Sequence, residues 1–539
     1  MAIFTYTNVA VSLITVYIAR RIYWEATTGS RQRAFARKHG CLPPKHRINA
    51  IFPKWLPHLT LDWILTIQRR YRDHTLLEGW QTELRSLDTH LFQVTALGQT
   101  VFITDEPENV KAMLATGFEQ WSLGQERIEQ MSSYLGRGIF TNEGKAWKHS
   151  RDMLRPCFEK SAVSDTSLFD KHMKRLMALL PTDGSEVDLQ PLFHEYTLDV
   201  ATEFLFGRST DSLKRAEETK DVQEFIEAFE YCTDPSSKEN YKKYGYIGLF
   251  LPDGKRKRCI KTIQTFTDKI INEEMSSRTT TSSSAAPDSR YIFLDSLLAT
   301  TPDMRTVRSE LLNILLAARD TTASLLSNIL WELPRHPAVL ARLRTEISSL
   351  TLVPEDATAP ATATASATHP PIPPPPPPPP TYAQLKHLPY LRAILTETQR
   401  LHPTVPSNAR QALVDTVLPR GAGPRGTAPV YVARGTYCAF HPYSMHRRTD
   451  VYGADAHAFR PERWLDPALR PGWAYVPFSG GPRVCIGQNF ALTETMFVVV
   501  ALVQAFELER VDFAEWREKL TITCTGLGGC RVRLRRRAG

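Results

Sequence analysis

The chain of 539 residues has no CxxC pair, and its eight cysteines (41, 157, 232, 259, 438, 485, 524 and 530) form no even framework. That excludes a disulfide-stapled scaffold and fits free thiols in a reducing compartment. No GxGxxG or P-loop stretch opens a helix, so the chain carries no evident nucleotide site of its own. It also lacks a stripe of basic residues interleaved with aromatics, which excludes nucleic acid as a partner. The net charge of +9 is moderate and suits an acidic protein partner or anionic lipid. There is no internal repeat, and the elements do not alternate as β-α-β. Residues 2 to 19, AIFTYTNVAVSLITVYIA, contain no charge at all. No basic residue precedes this run and no small-residue cleavage site follows it, which argues against a cleaved signal peptide.

That uncharged run is just long enough to span a bilayer. Arg20, Arg21, Arg31, Arg33, Arg37 and Lys38 follow it, so the positive-inside rule leaves the bulk of the chain in the cytosol. Residues 1–20 are therefore expected as a single membrane anchor. Five polar residues within the run leave an amphipathic or buried helix as the other reading. Residues 21–50 are expected as a basic, proline-broken linker that includes LPPKHR at 42 to 47, and residues 51–539 as one catalytic body.

Residues 91 to 105 read as a hairpin around Gly98 and Gln99. The stretch from 145 to 260 is mostly helical in pattern, and 276 to 289 reads as a Ser/Thr-rich loop. Two long helices are expected over 303 to 349, separated near Pro334 and Pro337. A low-complexity insertion over 351–380 ends in eight consecutive prolines and is expected as an exposed polyproline spacer. The helical pattern resumes at 383 to 401. Short strands fill 404 to 440, a final helix covers 487 to 506, and strands close the chain.

Four constellations could carry chemistry. The helix over 307–331 is apolar nearly all round, yet Asn313, Asp320, Thr321, Ser324, Ser327 and Asn328 gather on one side with Ala317. Such a stripe is either a wall facing a cavity or an internal polar network, and the sequence physics does not separate them. Glu397 and Arg400 share a helix face at i and i+3, which alone reads as an ordinary surface ion pair. Trp147 and Arg151, at i and i+4, could aim two donors at a carboxylate or simply form a solvated face. Lastly, FSGGPRVCIG at 478 to 487 sets Cys485 among glycines, beside Arg483 and just before a helix. Glycines let backbone N–H groups approach a sulfur, and the helix start adds positive potential, which suits a thiolate ligand to iron.

Residues 478 to 487 match the haem-binding signature F-x-x-G-x-R-x-C-x-G of the cytochromes P450. AARDTT at 317 to 322 resembles that family's A-G-x-D-T-T, with Ala318 in place of the usual glycine. Glu397 and Arg400, Pro461 to Trp464, and Trp147 with Arg151 match the family's E-x-x-R, P-E-R-F/W and W-x-x-x-R elements. The order is the family's own, and the resemblance covers roughly residues 40 to 535. It implies a mainly α fold with small β-sheets (α+β), the cytochrome P450 fold, behind an N-terminal transmembrane helix. It implies haem b (iron protoporphyrin IX) held by Cys485 as axial ligand, with Phe478, Gly481 and Gly487 shaping the loop. Arg483, Trp147 and Arg151 would meet the propionates, with Arg410 as a further candidate. Thr321 and Asp320 would serve oxygen activation and proton relay. Glu397, Arg400 and Arg463 would form a structural network.

LNILLAARDTTASLLS, YSMHRRTDVYG and GGPRVCIGQNFALTE look like the fungal membrane-bound P450s that hydroxylate n-alkanes and fatty acids. The implied activity is a monooxygenase acting with O2 on a hydrophobic substrate, a long aliphatic or fatty-acid-like chain. The alternative is tailoring oxidation of a polyketide or other secondary metabolite. No flavin domain fits in the chain, so the implied electron donor is NADPH-cytochrome P450 reductase, with cytochrome b5 as an additional partner. The implied location is the endoplasmic reticulum membrane.

Overall fold

A computed structural model describes residues 2–48, 61–96, 99–159, 164–214, 220–234, 240, 248, 251–281, 293–352 and 379–537. The central element is the helix Met304–Glu332, 29 residues long. It begins where the Asp303 carboxylate accepts the backbone N–H groups of Arg305 and Thr306, an N-cap that satisfies two otherwise orphaned donors. It gives way at Leu333–Arg335, a single 3-10 turn containing Pro334, before the helix Pro337–Ser348. The prolines thus mark the boundary between these helices, as the sequence suggests. The central helix packs against Leu189–Phe206 on one side and Gln488–Ala505 on another. Leu311, Leu312, Leu315, Leu326, Ile329 and Leu330 are buried in the resulting core. Each such side chain contributes about 1.5–3 kcal/mol through removal from water.

The largest sheet has six strands in the spatial order His46–Ile48, Leu91–Ala96, Gln99–Thr104, Tyr437–Phe440, Asn408–Ala412, Trp121–Ser122. The expected hairpin is there: Leu91 to Ala96 pair antiparallel with Thr104 to Gln99. Its turn, residues 97 and 98, lies outside the described residues. Three smaller sheets complete a mainly helical architecture with peripheral strands. Asn408–Ala412 matters most for function, because it follows the helix Pro389–Leu401 and delivers Arg410 toward the core.

Three sequence expectations need correction. The basic segment read as a linker from residue 21 is helical: Ala2–Trp24 continues through a π-helical turn at Glu25–Gly29 into Ser30–Lys38. LPPKHR does not hang free. Leu42 bridges to Val430 and Pro44 to Ala422, while His46 enters the large sheet beside Phe92. Proline fits here because both prolines sit where the ladder is only partly used. The helix Gly254–Thr281 runs six residues into the Ser/Thr-rich stretch. Residues 282–292, and 353–378 of the proline-rich insertion, lie outside the described residues. The stretch from 145 to 260 is mostly helical as expected, with one strand, Asp183–Asp188, that pairs with Arg531–Arg536 near the C-terminus.

Candidate active site

The loop before Gln488–Ala505 folds back on itself. The Cys485 backbone N–H donates to the Phe478 carbonyl at 3.0 Å. Gly481 sits at φ +63°, and a Cβ there would lie 1.9 Å from the Leu114 carbonyl oxygen. Only glycine fits that turn. At Gly487 a Cβ would meet Phe158 at an ordinary 3.6 Å, so protein packing does not demand glycine there. Gly487 instead caps the helix and aims its backbone N–H at the Cys485 sulfur.

Of the eight cysteines, Cys485 alone has an exposed side chain. The surface it shows lies within the outline of the molecule, since burial still pushes its thiol up. The Gly487 N–H and the Arg151 guanidinium oppose that rise.

Trp147 and Arg151 do not converge on a shared acceptor. Arg151 donates to the Val484 carbonyl at 2.9 Å and so braces the residue before the cysteine. The Trp147 ring lies under the Arg483 guanidinium, 4.6 Å from its centroid. Among the described residues, Arg483 donates to carbonyls alone, those of Ile139 and Asn142. Burial lowers its pKa to about 10, helped by Arg127 and Arg151. Arg410 shows the same pattern. It donates to Asn408 Oδ1 and the Ala409 carbonyl, and burial, with Arg127 and Arg483, takes it to about 9.

Arg127 is the third member of this cluster, and sequence reading missed it. It donates to Asn408 Oδ1 at 2.8 Å, and burial lowers its pKa as well. Nothing in QERIEQ marks it, because only the fold brings it to Asn408. Among the described residues, none of these three guanidiniums has a carboxylate partner within ion-pair distance. Arg410 is buried and Arg127 and Arg483 are half-buried, and cations shielded in this way and held by neutral oxygens form a ready site for anions. Together with an accessible thiol, this donor set fits a haem carrying two carboxylates.

On the central helix, the ambiguity over the polar stripe resolves by position. Asn313 accepts from the Phe140 N–H and donates to the Leu135 carbonyl. Ser324 donates to the Cys524 carbonyl, and Asn328 accepts from Trp516 Nε1. Ser327 bonds back to the Ala323 carbonyl. These residues form an internal network. Between Glu310 and Leu330, only Ala317, Ala318 and Thr321 are incompletely buried. They form the open patch of this helix. The helix is continuous through them, and Thr321 Oγ1 donates to the Ala317 carbonyl at 2.7 Å.

Asp320, next to Thr321 in the chain, is buried beside that patch. It lies 3.7 Å from His194 Nδ1 and 3.7 Å from Arg319, which itself pairs with Glu230 at 2.8 Å. Burial pushes the Asp320 carboxyl up, but Arg319 and His194 prevail and hold it below the usual range. His194 is a second residue that sequence reading missed.

Glu397 and Arg400 are not a surface pair: both side chains are 0% exposed. Arg400 forks onto Glu397 at 2.7 and 2.8 Å and donates to the His446, Ala456 and Ala458 carbonyls. Arg463 reaches Glu397 at 2.9 Å, and Trp464 Nε1 does so at 2.8 Å. This network ties Pro389–Leu401 to the segment leading to the cysteine loop.

The family described as Cytochrome P450 matches residues 63–522. The cytochrome P450 monooxygenase himC of Aspergillus japonicus is 37% identical over 99% of this chain and 90% of its own length. FPY7, a cytochrome P450 monooxygenase of Fusarium mangiferae, is 34% identical over 97% of the chain and 96% of its own. Cytochrome P450 52A5 of Candida maltosa is 39% identical over 80% of the chain and 79% of its own. An accessible cysteine on a glycine loop, shielded arginines with no ion pair among the described residues and full-length similarity agree: the chain belongs to the cytochrome P450 monooxygenases, a family of haem-thiolate oxidoreductases.

Proposed function

We propose that this oxidoreductase inserts one oxygen atom from O2 into a long aliphatic, fatty-acid-like chain, at a haem b ligated by Cys485. The observation that carries the site assignment is the pairing of an accessible Cys485 with the unpaired cluster of Arg127, Arg410 and Arg483. Bound haem supplies the oxygen-activating redox chemistry. The role of the protein is to hold, orient and protonate. Gly487 N–H and the helix start stabilise charge on the Cys485 sulfur, while Arg151 fixes the loop through Val484. Arg127, Arg410 and Arg483 would hold the carboxylates of the cofactor. Ala317 and Ala318 leave a small apolar opening on the central helix, which suits an aliphatic chain better than a polar ring system. Thr321 presents a hydroxyl there, and Asp320 with His194 can pass a proton toward it.

The helix Ala2–Trp24 supports a membrane anchor. Val9, Val11, Leu13, Ile14, Val16, Tyr17 and Ile18 are exposed on it, with Arg20 and Arg21 behind them. Among the described residues, the helix that passes a hydropathy test for a span is Gln488–Ala505, which is largely buried in the core. We assign anchoring to the exposed N-terminal helix, in the endoplasmic reticulum membrane, with NADPH-cytochrome P450 reductase and cytochrome b5 as electron donors.

The test is product analysis by mass spectrometry from microsomes containing the reductase and NADPH. Hydroxylated fatty acids or alkanes are expected. Turnover restricted to polyketides would move the substrate to secondary metabolism. Conversion of hydroperoxides without NADPH consumption would overturn the monooxygenase reading.

A further inference from the structure

A second site lies away from Cys485, where the turn between strands Thr416–Ala422 and Ala428–Val432 faces the helix Leu76–Ser86. It is a half-open cleft of about 460 Å³. Its three aspartates are already engaged: Asp88 with Lys45 at 3.1 Å, Asp105 with His90 at 2.8 Å, and Asp450 with Arg448 at 2.6 Å. Three guanidiniums remain. Arg425 has no ion pair among the described residues. Arg85 meets a ring nitrogen of His457 and no carboxylate among the described residues, and burial and Arg85 itself lower that histidine's pKa. Arg447 is 6% exposed, yet among the described residues its hydrogen-bond and ring partners are the Tyr443 carbonyl and ring alone. Burial lowers its pKa to about 10, which leaves it charged near neutrality.

An independent observation points the same way. Ser444 lines this cleft, is 2% exposed, and its Oγ has no hydrogen-bond partner among the described residues. A buried hydroxyl and a buried guanidinium, both short of acceptors, carry a desolvation cost that an anion would relieve.

We propose that this cleft binds a phosphate group, held by Arg85, Arg425, Arg447 and the Ser444 hydroxyl. Several fork-shaped donors lining one cleft suit a tetrahedral oxyanion, which can accept from several sides. The volume exceeds what a lone carboxylate needs. Lys45, at the rim, follows the N-terminal helices by a short connection, so a lipid phosphomonoester headgroup and a free phosphate are both available sources.

The experiment is calorimetric titration of the haem-loaded full chain in detergent. The probes are inorganic phosphate, short-chain phosphatidic acid and short-chain phosphatidylcholine. Saturable binding of phosphate or phosphatidic acid is expected, weakened about tenfold in both Arg425→Gln and Ser444→Ala. An unchanged spectrum of the reduced, CO-bound haem certifies that each variant is folded. Tighter binding of phosphatidic acid identifies the lipid source, and equal binding identifies free phosphate. No saturation at millimolar concentrations, unchanged affinity in either variant, or equal binding of phosphatidylcholine would overturn the proposal.

Discussion

Replacing Glu397 by glutamine keeps its shape and removes one charge. The native carboxylate accepts five hydrogen bonds, two from Arg400 and one each from Arg463, Trp464 and the Arg460 backbone. Arg400 is 0% exposed and Arg463 3%, so neither guanidinium can turn to water. An amide oxygen can accept only some of these bonds, and its NH2 group faces donors. Breaking a buried pair by neutralising one partner costs about 3–5 kcal/mol, because the other charge stays buried. For Glu397→Gln we expect a fall in Tm of roughly 3–4 °C, with a reduced yield of haem-loaded protein. The control is Glu273→Gln. Glu273 pairs with Arg208 at 2.7 Å, but the two side chains are 44% and 64% exposed. That exchange should change stability by less than about 1 kcal/mol. Thermal unfolding followed by circular dichroism and by haem absorbance reads both. Equal, small shifts in the two variants would refute the reasoning that burial makes this network matter.

Gly481→Ala should fail to load haem, because its Cβ collides with the Leu114 carbonyl at a positive φ. Gly487→Ala should fold but alter the haem spectrum, which absorbance after reconstitution would show. Thr321→Ala and Asp320→Asn should each lower product formed per NADPH consumed, with turnover down about tenfold or more; coupled NADPH and product assays read this. Arg410→Met should weaken haem retention, measured as transfer to apomyoglobin. Glu518 accepts the Leu76 and Leu77 backbone N–H groups, and burial raises its pKa to about 7 against their opposing pull. A carboxyl raised in the folded state binds a proton that the unfolded chain has released. Stability should therefore fall as pH rises from about 4.3 to 7, and Glu518→Gln should flatten that slope in urea titrations.

The cysteine loop was readable because its chemistry is local: glycines, a cation and a helix start lie within ten residues of sequence. The long helices and their proline break were readable from periodicity. The value of Glu397 and Arg400 was not, since i,i+3 spacing carries no information about burial. Only the carbonyls of His446, Ala456 and Ala458, distant in sequence, make that pair structural. Arg127 and His194 were invisible for the same reason. The polar stripe was ambiguous because helical spacing gives a direction and not a neighbour. Asn313, Ser324 and Asn328 face loops and strands that only the tertiary fold supplies. LPPKHR reads as a linker by composition, yet its backbone pairs at the ends of two hairpins, where proline is tolerated.

Cys485 as the axial ligand is the claim on which the catalytic account rests. Cys485→Ser should still fold, since the Phe478 hydrogen bond comes from the backbone. The direct measurement is the absorption spectrum of the reduced, CO-bound protein. We predict that the wild type shows the red-shifted Soret band of thiolate ligation and that Cys485→Ser loses it while keeping its helical circular dichroism. A folded Cys485→Ser protein that retains the band would contradict the assignment.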